Sequence, residues 1–377
     1  MKKIITIGEL GSIITGNTPP RSNPELYGNY TPFIKATDIS ETEKYTYTPE
    51  EYYSEEGYNK YIKSLIPKGS TCVVTIGSIG KKMTMAHCDL FINQAMNAIV
   101  PNKNFDKEYV YYAVKNILPN IKMLDSGTAS GRENVSKSAF SKMEILIEDN
   151  IVIQQRIAEI LSRYDSLIEN YQKQIKLLEE AAQRLYKEWF VDLRFPGYEN
   201  TKIVDGVPEG WKKVFLTELI EPQYGKDHKS LSDGLIPLYG SGGIMRYVNK
   251  VLYSGESVLI PRKGSLNNIM LVSGSFWTID TMFYSKPLLN YIMNLVYFYL
   301  KGKDLYMYNV GAAVPSMTVN ILSKMDIILP DENIRKCFDD KLSLIFNNIT
   351  NIASQIRILT EARDSLLPKL MRGEIEV

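Results

Sequence analysis

Only three cysteines and two histidines occur in the 377 residues. Cys72, Cys88 and Cys337 form no CxxC pair, and His87 and His228 lie far apart, which argues against a structural zinc site. An odd number of scattered thiols suits a reducing compartment, so a cytoplasmic protein is expected. There is no HExxH. No Asn-Pro-Pro-aromatic motif of an adenine methyltransferase occurs, and Asn17-Thr18-Pro19-Pro20 does not supply one. Thr75-Ile76-Gly77-Ser78-Ile79-Gly80-Lys81-Lys82 lacks the first glycine of a phosphate loop and the Ser or Thr after its lysine. It reads as a glycine turn between strands. Nucleophilic catalysis needs a Ser or Cys with a paired base, and two distant histidines do not provide one. No catalytic residue, metal or cofactor is expected.

Long apolar runs are missing as well. Leu288–Leu300 is 13 residues long, carries Asn290 and Asn294, and is too short to cross a bilayer. It reads as a buried helix, and no membrane partner is expected. The opening MKKIITIGELGSII is broken by Gly8 and Glu9, a poor signal peptide. Excess charge is also absent. The net charge is +1, with 17 Lys+Arg against 16 Asp+Glu in 1–148 and 12 against 10 in 204–330. Any DNA contact has to come from the placement of basic groups rather than from bulk charge.

What the sequence has instead is an internal repeat. Ile151–Phe190 and Glu332–Met371 align at a shift of 181, which sets Gln174-Ile175 on Gln355-Ile356, Leu178 on Leu359 and Leu185 on Leu366. Both copies carry a helical period. Heptad position a falls on Ile157, Tyr164, Tyr171, Leu178 and Leu185, and on Phe338, Ile345, Ile352, Leu359 and Leu366. Position e adds Leu161, Ile168, Ile175, Ala182 and Trp189 in the first copy. In the second it adds Leu342, Ile349, Ile356, Arg363 and Leu370. Position d is mixed, so the seam is wider than a strict zipper. Each copy predicts a rod of roughly 50–55 Å at ~1.5 Å per residue. The ten a residues are the expected helix–helix packing set.

The repeat extends beyond the helices. Ser141–Ile147 recurs as Ser323–Leu329, Gly127-Thr128-Ala129 corresponds loosely to Gly311-Ala312-Ala313, and Tyr109–Leu118 matches Tyr291–Leu300 as a short aromatic helix. Strands are expected at Pro32–Lys35, Thr71–Ile76 and Asn97–Val100. The predicted fold class is α+β. Two β-rich globular domains alternate with two long antiparallel coiled-coil helices in pseudo-two-fold arrangement, the helices pairing through like faces. The expected division is 1–148, 149–192, 193–330 and 331–377.

Polar turns in both globular segments suit DNA, because Arg, Lys, Asn and Gln read base edges while Ser, Thr, Tyr and backbone N–H groups hold phosphates. The candidates in the first are Thr18, Arg21, Lys35, Lys81, Lys82, Asn93, Gln94, Arg132 and Asn134. In the second they are Tyr224, Lys226, His228, Lys229, Tyr239, Ser241, Arg246, Arg262, Lys263, Ser265 and Asn267. A rod of this length suits two half-sites with centres on the order of 34 Å apart. The residues alone also allow an adapter protein with tandem protein-binding modules on a helical spacer.

Leu177–Gly197 (LLEEAAQRLYKEWFVDLRFPG), Gln154–Leu161 (QQRIAEIL), Gly206–Trp211 (GVPEGW) and Leu366–Ile375 (LLPKLMRGEI) resemble the specificity subunit of type I restriction–modification enzymes. The likeness covers the whole chain. It implies that 1–148 and the second globular segment are target recognition domains and that the helices are a spacer. It also implies double-stranded DNA and two methyltransferase subunits as partners, with restriction subunits joining through the complex. The target would be a bipartite sequence methylated on adenine N6. By the same resemblance the chain recognises DNA and is no enzyme on its own.

Overall fold

The computed structural model describes residues 2–127, 131, 133–308 and 315–377. By backbone proximity the chain divides into two compact units, Met1–Lys173 with Ile352–Val377, and Gln174–Asn351. Each unit therefore holds one globular module and part of both long helices.

In the first unit a ribbon pairs Lys2–Thr6 with Glu144–Glu148. A four-stranded antiparallel sheet follows, in the order Gly11–Thr15, Met96–Pro101, Thr71–Val74, Met83–Met85. Thr71–Val74 is buried throughout, and its alternating side chains feed two different cores. Val73 packs in the cluster of Ile99 and Tyr109, while Cys72 and Val74 pack with Met96 and Ala98. A second sheet runs Tyr27–Gly28, Glu51–Tyr53, Thr31–Ile34, Phe91–Ile92, the last pair parallel. The helix Lys107–Ile117 starts where the Asp106 carboxylate accepts from the Tyr109 N–H at 2.9 Å. Its residues Tyr109 to Val114 are all buried, as in a helix covered on every side.

The second unit repeats the plan. Lys212–Phe215 pairs with Asp326–Leu329, and a sheet runs Ile220–Tyr224, Met282–Pro287, Ser257–Pro261, Met270–Val272. A second sheet contains Gly243–Val248, Asp233–Gly240, Ser275–Thr278 and Tyr253–Ser254, again with one parallel pair. The buried helix is Met293–Lys301. Corresponding strand starts are Gly11 and Ile220, Met96 and Met282, and corresponding helix starts are Ile151 and Glu332. The extra residues of the first module therefore lie between its first sheet strand and the returning strand. There it carries the helix Glu55–Tyr61, where the second module has a long hairpin, Asp233–Val248.

The long helices span Ile151–Tyr186, continued by a π-helical turn Lys187–Val191, and Glu332–Arg372. Within the first unit the start of one packs with the end of the other, Ile157, Ala158 and Leu161 sharing a core with Leu367, Leu370 and Met371. Within the second unit Ala182, Trp189 and Phe190 share a core with Phe338 and Leu342. Both pairings are antiparallel. Of the ten a residues, Ile157 and Phe338 are fully buried. Tyr164, Tyr171, Leu178, Leu185, Ile345, Ile352, Leu359 and Leu366 are half-buried. Position e is deeper, with Leu161, Ile168, Ala182, Trp189, Leu342, Arg363 and Leu370 all buried. A straight helix drifts about 20° per heptad against a seven-residue repeat, so one heptad letter does not hold the seam along a rod this long.

Leu288–Leu300 departs from expectation. Its helix begins only at Met293, and Leu288 and Leu289 are exposed. Tyr291 takes a left-handed conformation, φ 57°, which a continuing helix cannot hold. Phe195-Pro196-Gly197 forms the expected turn, with Gly197 at φ 91°.

In the first unit Arg363 donates to Asp165 at 2.5 Å, and the Tyr112 hydroxyl donates to the same carboxylate at 2.5 Å. Lys44 pairs with Glu108 beside them. Burial, helped by the Arg363 charge and opposed by Asp165, lowers the Lys115 ammonium to about 8. An unfolded lysine titrates near ~10.4, so between pH 8 and about 10 the unfolded chain binds more protons and stability rises with pH. At higher pH the trend reverses. Burial raises the hydroxyls of Tyr45, Tyr111 and Tyr112, so the unfolded state loses protons first. We expect Lys115→Met to remove about 1–2 kcal/mol of rise between pH 8 and 10 in urea unfolding. An equal rise in both proteins would assign the effect to other groups.

Candidate nucleic-acid interface

The loops at one end of the two sheets in the first unit are tied together by backbone hydrogen bonds. The Asn17 N–H donates to Ile92 O at 3.0 Å, Asn93 N–H to Ile34 O at 3.0 Å, and Thr75 N–H to Ala95 O at 2.8 Å. Val135 N–H closes the cluster on Thr75 O at 2.8 Å. Asn97 supports it from below, accepting from Thr15 at 2.6 Å and donating to Thr75 Oγ1 at 2.9 Å.

The second unit builds the same cluster from other residues. Gly16 N–H to Met96 O becomes Gly225 N–H to Met282 O, and Asn17 to Ile92 becomes Lys226 N–H to Thr278 O. Thr75-Ile76 on Ala95 becomes Arg262-Lys263 on Thr281, and Val135 on Thr75 becomes Met317 on Arg262. Gly16 and Gly225 are both forced. A Cβ on Gly16 would lie 2.2 Å from Ile92 O, and one on Gly225 2.0 Å from Ile279 O. The turns after the central strands match too, Gly77-Ser78 and Gly264-Ser265, with φ of 91° and 83° at the glycines. A shared backbone therefore presents different side chains in the two modules.

Most sequence candidates of the first module gather on this cluster. Thr18 is hydrogen-bonded to Gln94, Lys82 donates to Ala36 O at 3.5 Å, and Lys81 is exposed with no ion pair among the described residues. The Asn93 Oδ1 is buried without a hydrogen-bond partner there. Asn134 carries the main-chain link to Ser126 and Asp125. Arg21 and Lys35 join the cluster already neutralised. Arg21 pairs with Glu51 at 2.7 Å and lies 4.8 Å over the Tyr27 ring, and Lys35 bridges Glu50 and Glu51. Burial raises the Glu51 carboxyl, but Arg21 and Lys35 outweigh it and hold it below its ordinary value. Arg132 lies outside the described residues, as do Thr128, Ala129 and Gly311-Ala312-Ala313.

In the second module the Arg262 guanidinium stacks 4.7 Å over Tyr224 and donates to Asp280 O at 2.6 Å, its Nε without a hydrogen-bond partner among the described residues. Lys226, Lys229, Lys263 and Ser265 are exposed, while His228, Tyr239 and Ser241 are partly buried. Arg246 is committed elsewhere. It binds Asp233 at 3.1 Å, His228 O at 2.8 Å and Leu231 O at 3.0 Å, pinning the approach to the hairpin. Asn267 is committed as well, donating to Asp304 at 2.9 Å and accepting from Leu305 N–H at 2.7 Å. Sequence reading missed Glu50 and Glu51 as partners, Ser78 as the counterpart of Ser265, and the exposed apolar residues Leu235 and Met245 of the hairpin. A reading that aligned the module tips as well as the helices would have found Ser78.

Among the described residues no group of three His, Cys, Asp or Glu could hold a metal ion. No described helix is long and apolar enough to cross a membrane. Cys72 is buried, which pushes its thiol up to about 12 and leaves it inert.

The family model described as the type I restriction modification DNA specificity domain matches residues 2–180 and 208–360. The chain belongs to that family. Type I DNA specificity proteins recognise the target of a restriction–modification enzyme and do not catalyse its reactions, which displaces the adapter reading. The MjaIX specificity subunit of Methanocaldococcus jannaschii is 27% identical over 413 residues, covering 100% of this chain and 93% of that one. The HindI specificity subunit of Haemophilus influenzae is 32% identical over 166 residues, 44% of this chain and 36% of that one. The crystal structure of the type I restriction–modification S subunit from M. genitalium shares the fold, with a TM-score of 0.60 at 18% identity, covering 98% of this chain and 96% of that chain.

Proposed function

We propose that 1–148 and 193–330 are two target recognition domains, each reading one half of a bipartite sequence in double-stranded DNA. The loop clusters are the reading surfaces. The observation that carries this is their construction: one backbone frame, with Thr75-Ile76 and Asn17 in one module and Arg262-Lys263 and Lys226 in the other. Equal frames with unequal side chains suit two different half-sites. Lys81, Lys82, Lys226 and Lys263 hold phosphates. Arg21 and Lys35 leave Glu50 and Glu51 to meet DNA, so that pairing selects against loose binding.

The helices 149–192 and 331–377 act as the spacer. Two methyltransferase subunits bind this chain and place methyl groups on adenine N6, and restriction subunits join through that complex. The chain works in the cytoplasm.

The test is a modification map. The chain is expressed with its methyltransferase subunit in a host without adenine methylation, and N6-methyladenine is located by sequencing. The expected result is one bipartite motif that disappears when this chain is omitted. Exchanging 1–148 for the corresponding segment of a relative is expected to change one half-site and leave the other. A soluble complex that adds no methylation, or an exchange that alters both halves, would overturn the proposal.

A further inference from the structure

Met123 is 83% exposed and Met307 is 81% exposed. They occupy the same place in the two modules. Each lies in the 3-10 segment after the buried helix, two residues beyond a fully buried anchor, Ile121 or Leu305. Each segment is fastened to the Gly-Ser turn of its own loop cluster. In the first unit a Cβ on Gly80 would lie 3.5 Å from Lys122 Cβ. Lys122 also pairs with Glu133 at 2.9 Å, and Glu133 O accepts from Gly77 N–H at 3.0 Å. In the second unit the Tyr306 hydroxyl donates to Gly264 O at 3.3 Å. Asn267 binds Asp304 and Leu305.

The fastening side chains differ completely between the modules. The methionine is the same. A single exposed apolar residue needs no explanation. Two at equivalent positions, each in a segment fastened to a turn that carries an exposed lysine (Lys81, Lys263), in loops that have otherwise diverged, call for one. Methionine has no donor or strong acceptor, so it cannot hold a phosphate. It is flexible and polarizable, and it suits the apolar features of DNA, the thymine methyl group and the faces of partly unstacked bases.

We infer that Met123 and Met307 are base-contacting prongs, one for each half-site, that press on apolar base surfaces while the neighbouring lysines hold the backbone. This rests on the two-half-site reading above.

The experiment uses the complex of this chain with its methyltransferase subunits. The probes are duplexes carrying the mapped motif intact, with either half scrambled, or with uracil in place of thymine in one half. Met123→Ala is expected to weaken binding to the intact motif about fivefold, the low end of the cost of one mismatched pair. It is expected to leave binding unchanged when its own half is scrambled. Met307→Ala is expected to behave likewise for the other half. Met→Leu is expected to restore binding at both positions. A thymine whose methyl group is the contact reveals itself when uracil costs the parent but not the Ala variant. Unchanged affinity of both Ala variants, or an equal loss on intact and scrambled duplexes, would overturn the inference. If no bipartite motif can be mapped, the two-half-site reading fails. A mapped motif with indifferent variants sinks the prongs alone. Both side chains are exposed, so the unfolding midpoint should not move.

Discussion

Arg363→Ala destabilises the first compact unit by about 3–5 kcal/mol, the usual cost of removing one partner of a buried ion pair. Arg363 is 3% exposed and Asp165 is 8% exposed, and the variant leaves the Tyr112 hydroxyl as the one hydrogen-bond donor to the Asp165 carboxylate among the described residues. All three tryptophans, Trp189, Trp211 and Trp277, lie in the second unit. Tryptophan fluorescence is therefore blind to this loss. Hydrogen exchange of Lys107–Ile117 reads it, and unchanged protection there would refute the assignment. The second unit supplies the control. In the internal repeat Asp165 corresponds to Phe346 and Arg363 to Ala182, and Phe298 meets Phe346 as Tyr112 meets Asp165. Phe298 and Phe346 stack at 6.5 Å. The same position in one fold is thus ionic in one unit and apolar in the other. Installing the apolar set in the first unit, as Tyr112→Phe, Asp165→Phe and Arg363→Ala together, should recover most of the stability that the single change removes, because a well-packed apolar replacement often matches a buried ion pair.

Phe338→Ala costs the second unit about 3–5 kcal/mol. Phe338 is 1% exposed and its ring meets four others, Tyr186, Trp189, Phe190 and Phe298, with centroids 4.8–6.4 Å away. The π-helical turn Lys187–Val191 places Trp189 and Phe190 on that ring together. Here tryptophan fluorescence reports directly, and its urea midpoint should fall sharply while protection of Lys107–Ile117 stays as it was. A fluorescence midpoint within error of the parent would show that the cluster closes over the cavity.

The site was partly legible. Of the loop residues with the right chemistry, Lys81, Lys226 and Lys263 are exposed on the clusters and Lys82 is partly buried. Arg246 and Asn267 have the same chemistry and spend it on their own loops. Residue type does not say which neighbour consumes a donor. Arg21 and Lys35 belong to the same lesson, since Glu50 and Glu51 reach them only when strand Glu51–Tyr53 pairs beside Thr31–Ile34.

The sequence by itself determined the two long helices to within a few residues, the repeat, and a strand over Thr71–Ile76, which the structure ends at Val74. Periodicity is a local signal, read from residues a few positions apart within one segment. The tertiary structure decided what lies in the interior. Asp165 sits next to a seam position on a helix face that an isolated pair would leave in water. The helix Lys107–Ile117 covers it, so a charge that heptad counting treats as solvated becomes half of a buried pair with Arg363. Burial depends on a third element arriving from elsewhere in the chain, and no local pattern encodes that arrival.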